Sequence, residues 1–81
     1  MLKDRDREAI VQEVIRLLKE EREKQGISKN RLAQMAGLSQ STVSLIENDH
    51  RSPTLDTLLR FAECLGVDLG KLVSKAIKKS S

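Results

Sequence analysis

The chain has 81 residues, of which 38% are hydrophobic and 33% charged, and a net charge of +3. That length holds one domain with one modest core, and that balance marks a folded globular chain rather than a disordered one. One cysteine rules out an internal disulfide, one cysteine and one histidine cannot supply the usual zinc ligands, and no apolar run approaches a membrane span.

With one Phe and no Trp or Tyr, the core is expected to be aliphatic, and the scarcity of Gly and Pro favours an all-α fold. The first helix is predicted over residues 6–25, where Ile10, Val11, Val14, Ile15, Leu17 and Leu18 share one broad face and Gly26 stops the helix. Its approach, residues 4–8, alternates charges and is expected to fray or project into solvent. Ser28 caps a second helix over 29–36, with Leu32, Ala33 and Ala36 inward and Gly37 supplying a left-handed turn. Ser39 caps a third over 40–48, and 49–53 form a loop. Thr54 caps a fourth over 55–65, with Leu55, Leu58, Leu59, Ala62 and Leu65 as its inner stripe. Gly66 ends it, and Asp68 caps a fifth over 69–78, where Leu69, Leu72, Val73, Ala76 and Ile77 recur at helical spacing. One domain over 1–81 is the expected organisation.

The informative segment is the third helix. On a wheel of about 100° per residue, Gln40, Ser44, Asn48 and Ser41 fall within about 100° of one another, with Val43 and Ile46 opposite. Such a helix packs by one face and offers amide and hydroxyl groups on the other, which suits the DNA major groove: Gln bonds both N6 and N7 of adenine, and Ser donates or accepts at several bases. Leu45 lies off the core face, as incidental exposure or as a contact for a thymine methyl or a partner. Each feature also has a bland alternative. Ser39 caps a helix whether or not DNA is present, and a polar stripe is what many wet surface helices carry. Charge discriminates little: residues 1–25 carry seven positive and seven negative charges, so the mild surplus lies in 26–81.

Residues 17–72 resemble the Cro/cI-type (lambda-repressor-like, XRE) helix-turn-helix family. The resemblance is carried by LLKEEREKQGIS, then RLAQMAGLSQSTVSLIEN, then SPTLDTLLRFAECLGV. It implies a compact five-helix domain, with the helix-turn-helix at the second and third helices, that binds double-stranded DNA as a homodimer to regulate transcription. It also assigns positions. Gln40, Ser41 and Ser44 fall where the family reads bases, with Leu45 on the neighbouring flank. Lys29 falls where the family commonly carries a Gln that meets a phosphate and braces the recognition helix, and Ser39, Asn48, Arg51 and Ser52 fall at the phosphate-gripping positions. Arg22 and Glu47 match a structural ion pair between the first and third helices. Two departures stand out: Lys replaces that Gln, and Asn30 and Arg31 stand where an acid is frequent.

The remaining chemistry-bearing residues read plainly. His50 is a loop residue, Cys64 a small apolar one, and Lys71, Lys75, Lys78 and Lys79 a solvated face near a helix C-terminus. Asp49, His50 and Ser52 are neighbours in sequence, but a short loop does not hold a catalytic triad, and no phosphate-binding glycine motif or metal spacing occurs. No enzyme, cofactor, metal or membrane association is expected, and the cytoplasm is the expected location. The rival reading is a protein-interaction module of the same fold, an antitoxin or coactivator acting through a protein partner. The dimer surface is expected on the fifth helix, or on the first through Leu2, Ile10 and Ile15.

Overall fold

Side chains that take the backbone N–H groups left unbonded at a helix start set most of the element boundaries in the computed structural model, which describes residues 3–80. The elements are α1 (Asp4–Lys24), α2 (Lys29–Ala36), α3 (Gln40–Glu47), α4 (Leu55–Leu65) and α5 (Leu69–Ser80), with no strand among the described residues. Ser28 Oγ accepts from the Arg31 amide at 3.0 Å, Ser39 Oγ from Thr42 at 3.1 Å, Thr54 Oγ1 from Thr57 at 3.1 Å and Asp68 Oδ1 from Lys71 at 3.2 Å. α1 starts at Asp4 rather than at Asp6, because the Asp6 carboxylate turns back to accept from the Lys3 amide at 3.2 Å. The segment expected to fray, residues 4–8, is helical and mostly exposed. α1 ends at Lys24 rather than Gln25, α3 at Glu47 rather than Asn48, and α5 runs on to Ser80.

α1 lies along α5 and also packs on α3 and α4, while α2 is held between α3 and α4. The buried cluster draws on every helix, from Ile10, Val14 and Leu18 of α1 through Leu32, Val43 and Ile46 to Leu65 and Ala76. Two expectations need correction. The core is not purely aliphatic: Phe61 lies at its centre, whereas Met35 is exposed. The α4 stripe is turned accordingly. Phe61, Ala62 and Leu65 are buried and Leu58 packs against them, while Leu55 and Leu59 face outward. Positions 58, 61, 62 and 65 satisfy helical periodicity as well as the expected set does. The larger apolar area of the Phe ring, with roughly 1.5–3 kcal/mol gained on full burial, selects between the two faces.

α5 packs by a narrower face than its pattern suggests. Leu69 and Ala76 are buried, Leu72 and Val73 half-buried, and Ile77 is exposed. Ile10 and Ile15, candidates for a dimer surface on α1, are consumed by the chain's own core. Leu2, the third member of that candidate surface, lies outside the described residues.

Candidate nucleic-acid interface

α3 is anchored by Val43 and Ile46, both essentially inaccessible to solvent, and these fix which residues point away. Gln40, Ser41 and Leu45 are exposed and Ser44 is half-buried, and together they line a shallow concavity of about 370 Å³. The surface offers an amide, two hydroxyls and one branched apolar group. It carries no charge, because Glu47, the only ionisable residue of α3, points inward.

Glu47 is neutralised where it lies. Arg22 of α1 grips both its carboxylate oxygens through one guanidinium edge, Nε to Oε2 at 2.8 Å and Nη2 to Oε1 at 2.9 Å. The remaining Nη1 donates to the Ile27 carbonyl at 2.7 Å. One buried guanidinium therefore joins the end of α1, the loop after it and the end of α3. Paired and hydrogen-bonded in this way, the two charges avoid the penalty of an isolated buried ion.

The turn into α3 is built from Gly37 at φ 73°, in the left-handed region that a Cβ disfavours. Leu38 then donates to the Ala33 carbonyl at 2.8 Å. Beyond α3 the chain turns again at Asp49, whose φ of 60° makes it the one non-glycine residue with positive φ among those described. The His50 and Arg51 amides both bond back to the Leu45 carbonyl, at 2.8 and 3.2 Å. The loop is thereby folded onto the end of the helix with Asn48, Arg51 and Ser52 exposed. Asp49, Arg51 and Ser52 face Arg7, Glu8 and Val11 of α1 across a groove of about 560 Å³. Lys29 is half-buried at the start of α2. Ser39 is exposed, with its hydroxyl engaged at the Thr42 amide and, at 2.9 Å, the Thr42 hydroxyl.

Gln40, Ser41, Ser44 and Leu45 thus share one surface, Lys29 and Ser39 stand at the starts of their helices, and Asn48, Arg51 and Ser52 follow α3. Some side chains that hold this arrangement escape sequence reasoning. Gln25 donates to the Leu65 carbonyl at 2.7 Å, and Arg60 to the Ala36 carbonyl at 3.0 Å. Their acceptors are backbone atoms distant in the chain, so no residue pattern advertises them. The local Asp56–Arg60 pair, four residues apart, was the one legible trace. Cys64 is half-buried, and burial, followed by the charge of Glu63, pushes its thiol above the ordinary range, which suits a packing role. Among the described residues no group of His, Cys, Asp and Glu could hold a metal ion, and no helix is long and apolar enough to cross a membrane.

A family model described as helix-turn-helix matches residues 18–72. Among curated proteins, the HTH-type transcriptional regulators PuuR of Escherichia coli (strain K12) and Shigella flexneri are each 38% identical over 61 residues, covering 75% of this chain and 33% of theirs. The chain therefore spans about a third of the length of these relatives. No solved structure matches it.

Proposed function

The chain belongs to the XRE-type helix-turn-helix family, and from that premise we propose that it binds double-stranded DNA sequence-specifically, as a homodimer, to regulate transcription. The observation that carries this reading is the uncharged polar surface of α3, held outward by Val43 and Ile46. Inserted in the major groove, Gln40, Ser41 and Ser44 read base edges. Lys29, Ser39, Asn48, Arg51 and Ser52 hold phosphates and set the register. The absence of a cation on that surface matters. Guanine O6 and N7 are most often read by Arg or Lys, whereas Gln suits adenine and an apolar group suits the thymine methyl. Gln40 and Leu45 accordingly favour A·T pairs at the centre of a half-site.

One domain makes few base contacts, so two copies are needed for useful affinity. A symmetric pair sets its recognition helices about 34 Å apart on one side of the duplex. Exposed Ile77 favours α5 as the pairing surface over α1, whose apolar residues are committed to the core. The same exposed residue, with Leu55 and Leu59, supports the second reading of a module that also meets a protein partner.

Selection of bound duplexes from a random pool tests the proposal. The expected product is an inverted repeat with half-sites about 10 bp apart, centre to centre. Gln40→Ala then relaxes preference at one base pair by about 5- to 150-fold, while Lys29→Ala weakens all duplexes alike. Replacing thymine by deoxyuridine in the half-site weakens the unaltered protein but not Leu45→Ala. A correctly folded sample that binds every duplex equally well, or equal losses on selected and random DNA for both Gln40→Ala and Lys29→Ala, would contradict it.

A further inference from the structure

We propose that Arg60 of α4 is a positioning residue for DNA reading, a clamp on the turn that aims α3; this inference rests on the DNA-binding function proposed above. Ala36 is the last residue of α2, and its carbonyl is among those a helix leaves without an intrahelical donor. The carbonyls of Ala33 and Gln34 are taken by the Leu38 and Gly37 amides. Arg60 Nη1 takes the Ala36 carbonyl at 3.0 Å. The exposed guanidinium is oriented toward it by Asp56, whose Oδ2 accepts from Nε at 2.9 Å one helical turn earlier. The same Nη1 lies against the turn, where a Cβ on Gly37 would be in ordinary contact with it at 3.4 Å.

The chain passes directly from this clamped point to Gln40 and Ser41. The angle between α2 and α3 is set by a short turn of which one side is fixed by α4. Arg22 fixes the far end of α3 through Glu47, and Arg60 fixes the approach to its near end. Hydrogen bonds to base edges weaken steeply when distance or angle drifts, so a loosened approach costs base discrimination before it costs the fold. Lys cannot substitute fully: it lacks the planar fork that spans a carboxylate and a carbonyl at once.

Arg60→Met and Asp56→Asn test the clamp by competition between the selected duplex and random DNA. Arg60→Met is expected to lower the ratio of specific to random affinity about tenfold, the size of one lost hydrogen bond. Arg60→Lys is expected to fall between it and the unaltered protein. Asp56→Asn separates the clamp from bulk charge. Removing an acid raises affinity for any polyanion, yet the loosened guanidinium is expected to lower the ratio. In the free protein, amide hydrogen exchange of Arg60→Met is expected to quicken at residues 37–41 and stay unchanged along the middle of α1. An unchanged ratio in both variants overturns the proposal. So does a uniform rise in exchange, which means Arg60 only stabilises the fold. Equal losses on both kinds of DNA, with a salt dependence reduced by about one phosphate, would instead make Arg60 a backbone contact and overturn it too. If the unaltered protein prefers no duplex, the underlying DNA-binding reading fails, and the clamp falls with it even where exchange at the turn responds.

Discussion

Among the described residues Arg22 and Glu47 are the only charged side chains in the core, and their worth depends on each having the other. Removing one partner strands a buried charge, which costs about 3–5 kcal/mol, whereas replacing both with apolar groups of similar volume is close to neutral. Arg22→Met or Glu47→Met is therefore expected to destabilise strongly, and the double variant to recover most of the loss in urea unfolding. Additive losses would show that the two do not act as a unit. The resemblance to a known family pointed to this pair, but helical phase did not select it, since Glu21 shares the apolar arc of α1 with Arg22. Burial and bidentate geometry distinguish the two: Glu21 is only half-buried, while Arg22 is enclosed. Asp49 is a second case. Nothing in its neighbourhood announces a left-handed residue, because Asp tolerates that region without requiring it.

The helix-turn-helix is the element on which the proposed recognition depends, and its geometry is set at its ends. Ser28 and Ser39 cap α2 and α3, Gly37 turns between them, and Val43 and Ile46 choose the buried face. Gly37→Ala is expected to destabilise by about 1–2 kcal/mol, the cost of placing a Cβ in left-handed backbone. The added methyl lies at ordinary contact distance from Arg60 Nη1, so strain rather than a clash dominates. A change below about 0.5 kcal/mol in urea unfolding, the level of an ordinary surface substitution, would show that the turn relaxes freely. These caps and stops were legible because each is a local contract between a residue type and nearby backbone groups. The inner face of α4 was not: two faces satisfied the same period, and the choice depended on where Phe61 could be enclosed.

At the scale of the whole molecule, α1 and α5 pack side by side although they are far apart in sequence. Glu13 of α1 pairs with Arg16 at 2.7 Å and, across the interface, with Lys79 of α5 at 3.4 Å. The hydrogen bond from Arg16 and then that from Lys79 outweigh the opposing effect of burial and hold its carboxyl down at about 2, from 4.5. A depressed folded-state value means stability that is full above the unfolded value and lost as pH falls. The native protein is therefore expected to lose more stability than Glu13→Gln between pH 4.5 and about 2. Parallel curves of Tm against pH for the two would remove the pair from the account. The interface itself follows from helical periodicity on both partners, but the ion pair between residues 13 and 79 has no signature in either segment.

The number of helices, their caps and stops, the apolar anchors of α3 and the outward placement of Gln40 and Ser41 are consequences of short-range rules, so 81 residues in order were enough to establish them. Which face of α4 is enclosed, how much of α5 stays uncovered and which distant carbonyl Arg60 meets were decided only when the helices packed. Periodicity and capping act within a turn or two of helix. Competition for buried area, and bonds to backbone atoms of another element, act between segments whose distance apart the linear order does not encode.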